Sequence, residues 1–240
     1  MLHEVAGDGL GGNGTTLMPK DGAYNNVVVW LHGVGEEANR WSSSMSELKL
    51  TDTKFILPTA DSRPIALNGG AQAPAWADIL AINLAPGQAF DILESPEDAE
   101  GFKTSADRVR AILDSEKAKG KEVSRMVVGG FSQGGAVALH VCLRATEPLA
   151  GCVACSSWVP MNKEYPAALG GGAKDIPVAQ FHGADDEIMQ LAWGQRSHDL
   201  MKDGLGVAAT FEAIPGMGHS ACPGELESIG RFLQKILPGA

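Results

Sequence analysis

Six short runs of apolar and β-branched residues recur along the chain, and each has the length of a single β-strand. They occupy residues 26–31, 54–58, 125–129, 149–157, 176–181 and 208–214. Within most of these runs the apolar residues are continuous instead of alternating with polar ones. This pattern is typical of strands that are covered on both faces, as in a parallel sheet.

Helical periodicity appears between these runs. Residues 105–119 place Ala106, Val109 and Ile112 on one face and charged residues on the other. Residues 133–144 are apolar nearly all round, and residues 225–236 carry an apolar stripe. Strands that alternate with helices predict an α/β fold, with a mostly parallel central sheet and helices on both faces.

The glycine content of the first residues suggests a separate N-terminal segment. Residues 7–14 contain five glycines, so we expect residues 1–14 to be a flexible lead-in outside the core. No repeat or linker divides the remainder of the 240 residues. Residues 15–240 are therefore predicted to form a single domain.

Composition and charge exclude several kinds of partner. Hydrophobic residues make up 44% and charged residues 20%, as in an ordinary soluble protein. The net charge of −10 disfavours nucleic acid and anionic membranes as principal partners. The apolar runs are too short to cross a bilayer, so stable membrane insertion is not expected. The first residues lack a secretory signal pattern, and we expect a cytoplasmic protein.

The cysteines do not predict a metal or redox site. Cys152 and Cys155 form a C-x-x-C pair, but they lie in an apolar strand-like run without a second pair to complete a zinc site. We therefore expect reduced structural thiols and neither metal nor cofactor.

A strand–turn–helix context surrounds a candidate nucleophile. Gly130-Phe131-Ser132-Gln133-Gly134 fits G-x-S-x-G and lies between a predicted strand and a predicted helix. A serine on such a sharp turn needs flanking glycines, because larger side chains would collide there. A glycine-rich turn with an incidental serine is the alternative, which the strand–turn–helix context disfavours.

Activation of a serine requires a histidine base and a carboxylate that orients it. With this type of nucleophile turn, the acid and then the histidine follow the serine in the chain. His219 fits, because it lies in a glycine-rich loop between the last predicted strand and the last helix. Asp185 and Asp186 both follow a predicted strand, and spacing alone does not choose between them.

An H-G-x-G segment ends the first strong strand. Glycines there leave backbone amides free to face a ligand, as an oxyanion hole requires. The amides of Val34 and Gln133 are predicted to form that pair. His32, in the same segment, is interpreted as structural because the base is already assigned.

These motifs together resemble one family, the acyl-protein thioesterase, lysophospholipase and carboxylesterase group of small α/β hydrolases. The resemblance extends from residue 26 to residue 237 in the same order and similar spacing. It includes residues 31–35, 58–64, 68–70, 75–79, 97–98, 130–135, 182–186 and 218–219. The resemblance of residues 182–186 to H-G-x-x-D selects Asp186 as the acid.

The resemblance also implies an acyl-binding region. Residues 81–90 correspond to a loop that lies over the acyl site in relatives, with a few extra residues here. Trp76, Leu84 and Trp158 are the expected substrate-binding residues. Residues 187–190 and 156–160 depart from the family pattern, which affects substrate preference more than catalysis.

The function implied by this resemblance is hydrolysis of acyl esters or thioesters through Ser132, Asp186 and His219, without a cofactor. An acyl-protein thioesterase (depalmitoylating) or lysophospholipase is the first hypothesis, and a carboxylesterase for short esters is the second. A non-catalytic binding module is the third. The expected partners are acylated small molecules, lipids or S-acylated proteins, and the expected state is a monomer or weak homodimer.

Overall fold

The computed structural model describes residues 2–80, 90–237 and 239. The strands in these ranges are β1 Leu2–Ala6, β2 Gly14–Pro19, β3 Asn26–Leu31, β4 Thr53–Pro58, β5 Ser62–Ile65, β6 Ala71–Pro74, β7 Met126–Phe131, β8 Gly151–Cys155, β9 Val178–Gly183 and β10 Ala209–Ile214. The α-helices are α1 Asn39–Glu47, α2 Ala99–Ala118, α3 Gln133–Leu143, α4 Leu191–Asp199 and α5 Pro223–Ile236.

Eight of these strands form one sheet in the order β1-β2-β4-β3-β7-β8-β9-β10. The pairs β1–β2 and β2–β4 are antiparallel, and all the other neighbours are parallel. Strands β5 and β6 form a separate hairpin. The predicted fold is confirmed: the large central sheet is mostly parallel, and it carries helices on both faces.

Two apolar cores cover the two faces of the sheet. On one face, Trp41 of α1 and Ile229 of α5 pack with Trp30, Val127 and other inward-facing strand residues. On the opposite face, α2, α3 and α4 contribute the apolar residues of the larger core. Strands β3, β4, β7 and β8 are buried along their full length, as continuous apolar runs predict.

Residues 2–6, which the sequence places in a flexible lead-in, have regular secondary structure. Leu2–Ala6 is an edge strand that pairs with β2 in regular register, from Leu2 opposite Pro19 to Ala6 opposite Thr15. The glycines form the connection between the two strands. Asp8 organises that connection: it accepts hydrogen bonds from the amides of Leu10 and Gly12 and forms an ion pair with Arg108 of α2.

The elements that sequence periodicity did not predict have weak local signals. Helix α1 contains three consecutive serines and only two buried residues, Trp41 and Met45, so its helical pattern is faint. Hairpin β5–β6 consists of two four-residue strands that lie outside the main sheet. Tertiary packing, more than propensity, determines these elements.

No helix in the described part of the chain is long and apolar enough to cross a membrane. Cys152 and Cys155 belong to the cores on opposite faces of the sheet. The C-x-x-C pair therefore cannot present two thiols to one ligand. Among the described residues, no group of three or more His, Cys, Asp or Glu side chains is arranged to hold a metal ion.

Candidate active site

Ser132 lies on a sharp turn between β7 and α3. Its backbone angles are φ 55° and ψ −121°, a conformation that non-glycine residues rarely adopt. Gly130 and Gly134 make the turn possible. A Cβ atom at Gly134 would lie 2.3 Å from the carbonyl oxygen of Leu31, and one at Gly130 would lie 2.6 Å from the same oxygen. The turn therefore requires glycine on both sides of Ser132.

Neighbouring strands hold this turn in place. The Ser132 amide donates a 2.8 Å hydrogen bond to the carbonyl of Cys155 in β8. The Ser157 hydroxyl donates a 2.8 Å hydrogen bond to the carbonyl of Ser132. The strained residue is thus bonded through both of its backbone polar groups, since that carbonyl also begins helix α3 by accepting the Ala136 amide.

His219 and Asp186 complete a continuous line of side chains with Ser132. His219 Nε2 lies 3.1 Å from Ser132 Oγ, and His219 Nδ1 lies 2.8 Å from Asp186 Oδ2. The three residues are far apart in sequence but stand at the carboxyl ends of β7, β9 and β10. The structure brings together all three residues of the predicted set.

Asp186 is buried, and both of its carboxylate oxygens accept hydrogen bonds. Its Oδ1 accepts hydrogen bonds from the amides of Ile188, at 3.0 Å, and Met189, at 2.8 Å. Burial by itself would raise the pKa of this carboxyl, but the hydrogen bond from His219 and the two amides outweigh burial and hold the pKa below its ordinary value. Asp185, the alternative that spacing left open, is exposed, and the carboxylate that His219 contacts is that of Asp186.

The other histidines near the sheet have structural positions. The His182 ring donates through Nε2 to the carbonyl of Met189 at 2.7 Å, which supports the loop that carries Asp186. His32 accepts the Ala60 amide at Nε2, and its Nδ1 donates to the Gly33 carbonyl. Burial lowers the pKa of both rings, so each is held neutral. The structural interpretation of His32 agrees with these bonds.

The two residues predicted for an oxyanion hole belong to different parts of the fold. Val34 lies in the loop after β3, and Gln133 is the first residue of α3. Within the described ranges, neither backbone amide donates a hydrogen bond to another residue. The Val34 loop is fixed by Glu36, whose Oε2 accepts the Gly33 amide and the indole N–H of Trp41, both at 3.0 Å.

Gln133 also has a side-chain role that the sequence did not reveal. Its Oε1 accepts the Trp76 amide at 2.8 Å, and its Nε2 donates to the Ala77 carbonyl at 2.7 Å. Trp76 itself is 1% exposed, packs against His32 and donates its indole N–H to the His32 carbonyl. The expectation that Trp76 contacts substrate differs from this placement: its ring supports the loop from within the core.

Trp158 borders a small cavity beside Gln133. Its volume is about 20 Å³, and the described residues that line it include apolar and polar side chains, among them Ile79, Leu80, Phe90, Ile92, Phe102, Trp158, Asp78, Glu97 and Gln133. The Trp158 indole N–H donates to Glu97 Oε1 at 3.2 Å, which fixes the ring. Leu84, the third expected substrate-binding residue, lies outside the described residues.

The adjacent acidic residues Glu97 and Asp98 have distinct structural roles. Glu97 holds Trp158 and also accepts the Met161 amide. Asp98 caps α2 by accepting the Gly101 amide at 2.9 Å, and its other oxygen accepts the Asp78 amide at 2.8 Å. Aspartate before a helical run is an N-cap signal, whereas nothing local in the sequence indicates the partners of Glu97.

A wider cleft of about 610 Å³ runs between α1 and α5. It reaches the active-site region at His219 and Phe131, but neither Ser132 nor Gln133 lines it. Charged residues such as Arg40, Glu227 and Arg231 surround it. The cavity beside Gln133 is much smaller, about 20 Å³, and Ser132 does not line it either.

The chain is similar in sequence to known proteins over nearly its whole length. Residues 13–237 match the model of the phospholipase/carboxylesterase family. An acyl-protein thioesterase 1 of Gibberella zeae is 36% identical over 228 residues, which cover 92% of this chain and 95% of that protein. An acyl-protein thioesterase 1 of Mycosarcoma maydis is 33% identical over 238 residues, with 92% and 96% covered.

Solved structures show the same similarity. The crystal structure of Zea mays acyl-protein thioesterase 2 superposes with a TM-score of 0.79 at 29% identity. That match covers 93% of this chain and 98% of the maize chain. The similarity thus extends over nearly the whole described fold.

Proposed function

Because this chain belongs to the phospholipase/carboxylesterase family of α/β hydrolases, we propose that it cleaves acyl thioesters and esters through an acyl-enzyme on Ser132. That the chain is a thioester or carboxylic ester hydrolase follows from the family. The observation that carries the assignment to particular residues is the line of two hydrogen bonds from Ser132 through His219 to Asp186.

The first half of the reaction forms the acyl-enzyme. Ser132 Oγ attacks the acyl carbonyl while His219 Nε2 accepts its proton. Asp186 stays ionised, because its pKa is held low, and its hydrogen bond to Nδ1 fixes the tautomer that leaves Nε2 free to accept. The imidazolium then gives its proton to the departing thiol or alcohol. The bond from the carbonyl carbon to the leaving group breaks as the tetrahedral intermediate collapses.

The second half of the reaction releases the acyl group. A water molecule takes the place of the leaving group, and His219 removes its proton as the water attacks the acyl carbon. The carboxylic acid departs and Ser132 recovers its proton from the imidazolium. In both halves, the amides of Val34 and Gln133 would donate to the negative oxygen of the tetrahedral intermediate. That neither amide has another acceptor among the described residues supports this role.

The substrate class that we propose is a long acyl chain on a thioester or lysophospholipid. The observation that supports it is that several relatives carry the name acyl-protein thioesterase. S-acylated proteins are then the proposed macromolecular partners, with depalmitoylation as the reaction. The small volume of the cavity beside Gln133, about 20 Å³, favours the second candidate, a carboxylesterase for short esters.

The test is hydrolysis of p-nitrophenyl esters from acetyl to palmitoyl, together with an S-palmitoyl peptide, by wild type and Ser132→Ala. We expect turnover of long chains and of the peptide, with kcat/KM lowered by at least about 10³-fold in the variant. Activity on acetyl and butyryl esters alone would select the carboxylesterase. A variant as active as wild type would remove Ser132 from the mechanism, and failure of a serine-reactive phosphonate to label wild type would indicate a non-catalytic module.

We further propose that the enzyme is cytoplasmic and acts as a monomer or weak homodimer. Light scattering over a range of protein concentrations measures the oligomeric state. A stable larger assembly would contradict it.

A further inference from the structure

The two peptide groups that carry the Val34 and Gln133 amides share an arrangement on their carbonyl side. In a trans peptide group the C=O and the N–H point in opposite directions, so the carbonyl of the preceding residue lies directly behind the amide. The Ser132 carbonyl lies behind the Gln133 amide, and the Gly33 carbonyl lies behind the Val34 amide. Each of these two carbonyls accepts one hydrogen bond from a backbone amide and a second from a buried side chain.

Ser157 supplies the side-chain bond behind Gln133. The residue is 1% exposed, and its hydroxyl donates to the Ser132 carbonyl at 2.8 Å. The same carbonyl accepts the Ala136 amide at 3.1 Å, so it would have a partner without the serine. Gly135 leaves the room that this contact needs, because a Cβ atom there would lie 2.9 Å from the Ser157 hydroxyl oxygen.

His32 supplies the corresponding bond behind Val34. Its Nε2 accepts the Ala60 amide at 2.9 Å, which requires a neutral ring with its proton on Nδ1. Nδ1 then donates to the Gly33 carbonyl at 2.7 Å. That carbonyl also accepts the Glu36 amide at 3.2 Å, so the side chain adds a second bond here as well.

The need to satisfy buried polar groups does not account for this pairing. Both carbonyls have a backbone partner already, and the adjacent Ser156 hydroxyl is buried without a partner among the described residues. Hydrogen bonds in series polarise one another, so a donor on the carbonyl makes the N–H of the same peptide group a stronger donor. The additional bond also fixes the direction in which that N–H points.

We propose that Ser157 and His32 are positioning residues of the oxyanion hole, which hold the Gln133 and Val34 amides in place and strengthen them as donors. This inference rests on the proposed function, in which those two amides bind the oxyanion. Each side chain acts through a backbone amide and not by contact with substrate. Because the negative charge on the oxygen develops only in the transition state, the effect of both residues falls on kcat more than on KM.

The first test compares Ser157→Ala with Ser156→Ala in the steady-state hydrolysis of p-nitrophenyl butyrate. The two variants remove adjacent buried hydroxyls, of which only that of Ser157 bonds to the carbonyl behind Gln133. We expect kcat to fall about ten-fold in Ser157→Ala with little change in KM, less than the 10²- to 10³-fold loss that is typical of a deleted oxyanion donor. Ser156→Ala, the matched control, should retain the kcat of wild type.

A matched pair of variants tests His32. Asparagine places its amide nitrogen near the position of Nδ1, so His32→Asn keeps a donor to the Gly33 carbonyl. Glutamine reaches the position of Nε2, so His32→Gln keeps an acceptor for the Ala60 amide and loses the other bond. Both variants lose the ring that packs against Trp76. We expect kcat to be about five-fold lower in His32→Gln than in His32→Asn, and equal values would overturn the role of His32.

A second measurement does not depend on turnover. Ser132-Gln133 is the only Ser-Gln dipeptide in the sequence. Protein that carries an isotope-labelled carbonyl in serine and an isotope-labelled nitrogen in glutamine therefore gives one coupled amide signal by NMR. The nitrogen resonance should move upfield in Ser157→Ala, because loss of the bond to the carbonyl reduces the polarisation of that peptide group, and it should stay in place in Ser156→Ala. If Ser157→Ala does not fold, Ser157→Cys replaces the hydroxyl by a weaker donor of similar shape.

The outcomes separate this inference from the proposed function. A wild-type protein that hydrolyses no ester would overturn the proposed function, and the amide signal would still test whether Ser157 polarises the Gln133 amide. Normal hydrolysis by wild type with equal kcat in the two serine variants would overturn the inference alone. An amide signal that stays in place in Ser157→Ala, or a loss confined to KM, would overturn it as well.

Discussion

The amide of Trp76 donates a 2.8 Å hydrogen bond to Oε1 of Gln133, so the loop after β6 is tied to the first residue of the helix behind Ser132. The other end of the same side chain donates to the Ala77 carbonyl. One buried amide group therefore satisfies two backbone groups of the loop. It also leaves the backbone amide of Gln133 available to a ligand.

Gln133→Glu should disturb this connection while keeping the shape of the side chain. The new carboxylate still accepts from Trp76 but faces the Ala77 carbonyl without a proton to donate. We expect a loss of about 2 kcal/mol in the free energy of unfolding and a lower kcat, measured by urea unfolding and ester hydrolysis. Gln234→Glu, at an exposed position of α5, is the control and should leave both unchanged.

Asp186→Asn should lower kcat by about 10³- to 10⁴-fold, because an amide cannot fix the required tautomer of His219 or stabilise its charged form. Asp185→Asn should retain nearly full activity, since that neighbouring carboxyl is exposed. Steady-state kinetics on one short ester measures both. Equal losses in the two variants would contradict the assignment of the acid.

Gly134→Ala should lower the free energy of unfolding by about 3 kcal/mol. The new Cβ atom would lie 2.3 Å from the Leu31 carbonyl oxygen and 2.5 Å from that of His32. Gly171→Ala is the control. A Cβ at Gly171 meets no atom within 4 Å. Denaturant midpoints measure the difference, and similar stabilities of the two variants would show that the turn relaxes.

Glu116 of α2 should stabilise the protein in a pH-dependent way. It is 1% exposed and accepts hydrogen bonds from Lys54 of β4, Lys119 and Tyr24. Burial alone would raise the pKa of Glu116, but these three donors hold it below its ordinary value. The contribution is therefore complete above the unfolded pKa and is lost as pH falls through the folded one.

Glu116→Gln should cost about 3 kcal/mol at pH 7, since it leaves Lys54 buried without its counter-charge. The difference from wild type should shrink in acid. Glu122→Gln, which alters an exposed carboxyl, is the control. Urea unfolding at several pH values checks both statements, and a difference that persists unchanged at low pH would contradict the role of the charge.

Glu225 should have the opposite pH dependence. Its pKa is raised from about 4.5 to about 7, so the folded state binds a proton more tightly than the unfolded state. Stability should fall as pH rises through this interval, by at most about 3 kcal/mol. In Glu225→Gln that fall should disappear. Thermal unfolding between pH 4.5 and pH 8 measures it, and parallel curves for the two proteins would show that Glu225 ionises normally.

Much of the fold was predictable because its signals are local. The six apolar runs correspond to β3, β4 and β7 to β10, and the three strong helical patterns correspond to α2, α3 and α5. The hairpin of β1 with β2 was not predictable, because glycines in a turn between two strands look the same in sequence as glycines in a free tail. Its register depends on pairing with β4 and on the ion pair from Arg108, which are tertiary contacts.

The candidate site shows the same division. Ser132 and His219 were indicated by turn chemistry and chain order, and the structure places them 3.1 Å apart. Asp186 could not be separated from Asp185 by spacing, because the direction of a loop side chain depends on the bonds that the loop makes. The side-chain hydrogen bonds of Gln133 also depend on the folded loop, so the sequence did not predict them. The sequence likewise did not show that the ring of Trp76 is enclosed by the core, so it was predicted to contact substrate.

The three candidate catalytic residues follow β7, β9 and β10, so activity during folding requires that all three strands have joined the sheet. Ser132 precedes His219 by 87 residues, and β10 lies at the edge of the sheet. During synthesis the serine leaves the ribosome well before its base. Refolding kinetics followed by ester hydrolysis should therefore report the docking of the last strand, later than the fluorescence change of tryptophans packed around β3. A fragment that ends before β10 would be a folded scaffold at most, with a serine but no proton acceptor.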